Sequence, residues 1–171
     1  MIEVKKTYLE SLPALRLIGI PYTDADKVNG SFGAKWGEWF SQGKFEQLEA
    51  LGPLPENEGA YMGMMPMHEG TFEYWIGMLF PRNVHAPEGY KHVDIPAGDV
   101  AIVWIYGRED TGELYGQEPT DIVMAEVENA GWKPAKDGWF FERYNCPRFT
   151  EPDDQGKVIL DYGVYVKGEN I

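Results

Sequence analysis

The chain restarts halfway along, and this restart limits its architecture more than any other feature. Leu12-Pro13-Ala14 and Ile95-Pro96-Ala97 stand 83 residues apart, and each leads into an apolar run. Ile76-Gly77-Met78 and Tyr162-Gly163-Val164 match at an offset of 86. Between these marks the order of elements is the same in both halves. In the first half, residues 12–22 read as a strand. Ser31 then caps a helix carrying Phe32, Trp36, Trp39 and Phe40 in one wide apolar stripe, with a short continuation after Gly43. Strands at 61–67 and 72–80 follow, turning at His68-Glu69-Gly70. After a linker at 81–89 come a strand at 100–106, a helix opened by Pro119 and closed by Gly131, and strands at 139–145 and 158–167. Module one spans about 1–81 and module two about 90–171. The expected fold is α+β in a single domain over 1–171. Two strand-helix-strand-strand modules pair edge to edge into one antiparallel sheet, with helices on one face and a ligand groove on the other.

Within the second module, Trp139-Phe140-Phe141-Glu142-Arg143-Tyr144 sets a carboxylate in the middle of an aromatic strand. Alternation puts Phe140, Glu142 and Tyr144 on one face and Trp139, Phe141 and Arg143 on the other. A desolvated carboxylate without a partner is expensive, so Glu142 is either a wet edge residue or a binding device. The aromatic load of 6 Trp, 10 Tyr and 8 Phe suits a surface that grips flat apolar ligands. The net charge of −13 opposes nucleic acid and anionic membranes, so direct nucleic-acid binding is not expected, and cationic partners are compatible with it. One cysteine, Cys146, precludes an intramolecular disulfide, and no apolar run reaches the ~20 residues of a membrane span. A cytoplasmic location is expected. The histidines His68, His85 and His92 lack ligand spacing, and neither a metal nor a cofactor is expected.

The module opening Ile95-Pro96-Ala97-Gly98, the helix end Ala130-Gly131-Trp132 and the run Phe141-Glu142-Arg143-Tyr144-Asn145-Cys146-Pro147 resemble the GyrI-like small-molecule-binding family. Asp161-Tyr162-Gly163-Val164-Tyr165-Val166 resembles its closing strand less closely. That family includes the effector-binding domains of multidrug-responsive transcription activators. The resemblance covers nearly the whole chain, and its most specific part is Phe141, Glu142, Tyr144 and Pro147. It implies that Glu142 stands in a groove between the modules and accepts lipophilic cations between aromatic walls, with Tyr144 nearby. The chain itself is expected to be a stand-alone member, departing from the transcription activators in having no helix-turn-helix domain. Some such members are hydrolases that open cyclopropane rings of DNA-alkylating compounds.

Candidate ligand-binding residues are Glu142, Tyr144, Phe140, Trp104, Tyr74, Trp75, Tyr162, Met65 and Trp39. Tyr74 and Trp75 are adjacent in one strand, so one of them faces the groove in either register. Trp36 is read as core packing of the helix on the sheet. Three functional readings follow. The leading one is a binder of hydrophobic, cationic or polyaromatic small molecules, serving to sense or sequester toxic compounds. The second is a xenobiotic hydrolase in which Glu142 and Tyr144 are catalytic. The third is a protein with a protein partner, such as a topoisomerase.

Overall fold

The computed structural model describes residues 2–53, 59–67, 72–144 and 147–167. The turn expected at His68-Glu69-Gly70 and the thiol Cys146 lie outside them. The elements run β1 (Glu3–Leu12), β2 (Leu15–Tyr22), α1 (Gly33–Ser41), α2 (Lys44–Glu49), β3 (Met62–Pro66) and β4 (Tyr74–Phe80). The second half follows with β5 (Lys91–Ile95), β6 (Gly98–Arg108), α3 (Gln117–Asn129), β7 (Trp139–Arg143), α4 (Pro147–Thr150) and β8 (Lys157–Tyr165). Among the described residues the strands form one eight-stranded sheet in the order β1-β6-β8-β7-β3-β4-β2-β5, antiparallel throughout. The order is symmetric about the β7–β3 seam, where the two repeats meet edge to edge as the restart predicts.

Each half has one more strand than its apolar pattern suggests, because β1 and β5 are polar edge strands. Each pairs with the opposite repeat: β1 with β6, and β5 with β2. This exchange bends the sheet. β1 and β2 lie six strand intervals apart in the sheet order, about 29 Å if the sheet were flat at ~4.8 Å per strand. Only Pro13 and Ala14 connect them, a reach of roughly 11 Å. Pro96 and Ala97 make the same short connection between β5 and β6. The two Pro-Ala motifs therefore draw opposite edges of the sheet toward each other. The inner side is filled by Leu15, Leu17, Met62, Met64, Ile95, Val100, Ile102 and Phe141, all fully buried, and no residue of a described helix belongs to this cluster.

The helices cover the outer side in two groups. Trp39, Phe45 and Leu48 from α1 and α2 pack on Ile18, Ile76, Met78 and Phe80. Val123 and Val127 from α3 pack on Ala101, Val103, Leu160, Tyr162 and Val164. Helix boundaries follow local chemistry. Phe32 is the N-cap of α1, and Ser31 Oγ accepts a hydrogen bond from the Gly33 N–H at 3.2 Å, one residue from its expected capping place. Gly43 breaks α1 from α2 at a φ of 65°, and Gly131, at a φ of 85°, ends α3. No described helix is long and apolar enough to cross a membrane.

Candidate functional site

Antiparallel partners share a sheet face, so the register places every strand residue of the candidate site. One row across the sheet reads Val103, Tyr162, Glu142, Gly63, Ile76 and Ile20. It lies on the helical side, with Val103 and Tyr162 in one helix-covered cluster and Ile76 in the other. The next row reads Trp104, Asp161, Arg143, Met62, Gly77 and Gly19, on the inner side. Glu142 therefore stands at the seam on the helix-bearing face, between the α1–α2 group and the α3 group. A groove on the helix-free face could not include it, because that face is occupied by the inner core.

Two phenols converge on the carboxylate. The Tyr74 hydroxyl donates to Glu142 Oε1 at 2.8 Å and the Tyr144 hydroxyl donates to the same atom at 3.0 Å. Trp36 Nε1–H donates to the Tyr74 oxygen at 3.1 Å. An indole N–H can only donate, so the Tyr74 proton is directed to Glu142 and the chain Trp36–Tyr74–Glu142 has one polarity. Tyr162 lies directly opposite Glu142 in the ladder, and its hydroxyl donates to the Leu114 carbonyl at 2.5 Å. Gly63, opposite Glu142 on the other side, makes the arrangement possible. A Cβ there would come within 2.2 Å of the Tyr74 hydroxyl and 2.9 Å of Glu142 Oε1.

Aromatic rings wall this carboxylate on both sides of the seam. Phe32 stacks on Tyr74 with centroids 4.6 Å apart and planes within 8°. The Trp36 ring meets Tyr144 edge-on at 4.8 Å, and Phe149 of α4 meets Tyr144 from another side at 5.2 Å. Tyr115, before α3, lies 6.4 Å from Tyr144. Met65 touches both helix-covered clusters, and Phe140 packs beside Tyr162. Glu142, Trp36, Phe32, Tyr115, Tyr144 and Phe149 all keep partial solvent exposure.

Burial pushes the Glu142 carboxyl above the usual carboxylate range, and the hydrogen bonds from Tyr74 and Tyr144 hold it down only in part. Burial and the adjacent Glu142 charge raise Tyr74 and Tyr144 well above the ordinary phenol value. With its folded value raised, Glu142 favours the native state below the unfolded carboxyl range, and this contribution is lost as pH rises through the folded value. Glu142→Gln keeps an acceptor oxygen for both phenols and removes the charge. Its melting temperature is expected to match or exceed wild type at pH 8, and the advantage is expected to vanish at pH 4. Differential scanning calorimetry at the two pH values checks this.

The candidates named from sequence divide between the faces. Glu142, Tyr144, Tyr74, Tyr162, Phe140 and Met65 come together at the seam. Trp75 does not, because it pairs with Met64 on the inner side and belongs to the inner core. Trp104 does not either. It lies on the inner side beside Tyr8, with Lys6 Nζ 5.0 Å and the Arg148 guanidinium carbon 4.7 Å from its ring centroid. Trp39 is fully buried under α1, its Nε1–H donating to the Tyr22 hydroxyl at 2.9 Å, and is core rather than wall. Trp36, read as core packing from its spacing, does pack on the α1–α2 cluster, and it also lies at the seam beside Tyr74 and Tyr144. The signal was the rank Phe32, Trp36, Phe40, spaced by four along one side of α1, with Trp39 turned inward. Tyr115 and Phe149 carry no motif that singles them out.

No family model matches the sequence, and no curated protein matches it at a significant level. Solved structures do share its architecture. SAV2435 bound to tetraphenylphosphonium superposes with a TM-score of 0.67 at 18% identity, over 96% of this chain and 95% of that one. A bacterial transcription regulation protein from Staphylococcus aureus gives 0.64 at 19% identity, over 95% and 99%. EcmrR, solved in complex with DNA, gives 0.60 at 15% identity, and the matching part is 57% of that chain against 95% of this one. The chain thus has the fold of the GyrI-like effector-binding domains that its sequence resembles.

Proposed function

We propose that the protein binds lipophilic organic cations at the seam, with Glu142 as the counter-charge and the surrounding rings as walls, to sense or sequester them. The observation that carries this reading is the Glu142 carboxylate, fixed by two phenols and flanked by aromatic rings contributed from both repeats. A compact, strongly hydrated cation loses too much hydration in such a place, whereas a cation whose charge is spread over aryl groups loses little. Such a guest gains ring contacts worth ~0.5–2 kcal/mol each where they are desolvated. The net charge of −13 draws cations toward the protein in general, and Glu142 gives that attraction a location. The neighbour bound to tetraphenylphosphonium supports the choice of guest.

The test is a fluorescence titration with tetraphenylphosphonium, using the Trp36 and Trp39 emission, beside the neutral triphenylphosphine oxide. Wild type is expected to prefer the cation. Glu142→Gln is expected to weaken cation binding by about tenfold or more and to leave the neutral probe within about twofold. In wild type the cation affinity is expected to fall on acidification from above the usual carboxylate range, with no such fall in the variant. Equal cation affinity in the two proteins would sink the reading.

A further inference from the structure

The loop entering α1 holds a cation of the protein's own on the outer end of the aromatic wall. Starting from Glu142, the rings run Tyr74, Phe32, Phe72. Phe32 lies 4.6 Å from Tyr74, and Phe72 lies 6.1 Å from Phe32 with planes within 20°. Lys27 Nζ sits over the last two, 5.5 Å from the Phe32 centroid and 5.2 Å from that of Phe72. It also pairs with Asp24 at 3.0 Å.

This position is built by the backbone. Val28 and Ser31 exchange both hydrogen bonds, at 2.9 and 3.1 Å, across Asn29 and Gly30, which have φ values of 53° and 77°. Two consecutive residues of positive φ make the tight turn for which Asn-Gly is preferred. Lys27 and Phe32 thereby flank a closed two-residue hairpin and face each other across it. At the base, the Thr23 N–H donates to the Asp26 carboxylate at 2.9 Å, which fixes the start of the loop.

We propose that Lys27 is a tethered self-ligand of the outer aromatic stack, displaced when a large cation occupies the seam, and that it sets the site's selectivity for large delocalised cations over small ammonium ions. The inference rests on the cation-binding reading of the Glu142 site. A tethered ammonium competes at high effective concentration. A small alkylammonium offers Phe32 and Phe72 nothing that Lys27 does not already supply. A tetra-aryl cation reaches Glu142 and also covers the stack, so it gains contacts that Lys27 cannot replace.

The experiment compares Lys27→Gln with Lys35→Gln in titrations with tetraphenylphosphonium and tetramethylammonium. Lys35 is a charge-matched control, because its ammonium pairs with Glu38 at 3.2 Å and lies over Tyr22 rather than the outer stack. Lys27→Gln is expected to tighten tetraphenylphosphonium by about twofold to fivefold and to bind tetramethylammonium measurably. Lys35→Gln is expected to change either affinity by less than about 1.5-fold, the screened effect of one distant surface charge. In parallel, the Lys27 ε-methylene resonances of wild type are expected upfield of exposed lysine through ring currents, returning toward it as tetraphenylphosphonium saturates the protein.

Equal effects of the two substitutions overturn the proposal. So does a Lys27 resonance without a ring-current shift, or one that stays put at saturation. Failure of the underlying reading has its own signature: tetraphenylphosphonium would bind wild type and Glu142→Gln alike, whatever the Lys27 resonance does.

Discussion

Replacing Asp161 by asparagine is expected to cost about 3–5 kcal/mol of folding stability, a drop in melting temperature of roughly 10 °C for a chain of this size. Asp161 is 1% exposed and accepts from two guanidinium groups. Arg143 donates to it through Nε at 3.0 Å and Nη2 at 2.8 Å, and Arg148 through Nε at 2.7 Å and also Nη2. Arg143 is itself buried and reaches Glu10 at 3.1 Å. Four elements, β1, β7, β8 and α4, therefore meet in one charge cluster on the inner side. Asparagine keeps the shape and removes the charge that both arginines share. Buried charges without full compensation are the costly case, whereas an apolar replacement of a whole cluster can be neutral. Urea unfolding followed by tryptophan fluorescence measures the loss. The same substitution in an Arg148→Met background is expected to cost less. A loss below ~1 kcal/mol in the wild-type background would contradict the assignment.

Gly63→Ala is expected to damage stability and binding together. The added carbon would meet the Tyr74 hydroxyl at 2.2 Å and the Tyr74 ring carbon Cζ at 2.9 Å, both far inside contact distance. Tyr74 is buried and stacked on Phe32, so it has little room to move. Overpacking of this kind costs about 1–3 kcal/mol. The displaced hydroxyl also gives up its bond to Glu142, and tetraphenylphosphonium affinity is expected to fall with it. A double-mutant cycle with Tyr74→Phe separates the two effects. Removing the hydroxyl relieves the closest clash, so the stability cost of Gly63→Ala should shrink in that background. Additive costs would show that the strain lies elsewhere.

Much of this molecule is legible in its sequence, and the parts that are not share physical reasons. The apolar strands β2, β3, β4, β6, β7 and β8 and the helices α1, α2 and α3 announce themselves by periodicity, whereas the four residues of α4 fall in a stretch whose prolines and aspartates read as a loop. The edge strands do not, since Glu3, Lys5, Lys6 and Glu10 in β1 and Lys91, His92 and Asp94 in β5 suit exposed edges and mask the alternation. The face shared by Phe140, Glu142 and Tyr144 follows from strand geometry alone. The choice between Tyr74 and Trp75 does not, because it depends on the register with β3, a pairing of strands whose partners only the fold supplies. Trp104 stands out in its strand by size, and size says nothing about face. Trp104 lies one residue from the Val103–Tyr162–Glu142 row and so points to the other side.

The two Pro-Ala connections carry a mechanical consequence. A two-repeat molecule with a binding site at its seam invites the picture of a hinge, opening to admit a guest and closing upon it. Here Pro13-Ala14 and Pro96-Ala97 strap opposite edges of the sheet together, and the exchanged strands β1 and β5 lock each repeat to the other. The halves cannot swing apart without tearing long antiparallel ladders. Accommodation of guests of different shape is therefore left to side chains and to the 27–32 hairpin, over a backbone floor that stays fixed.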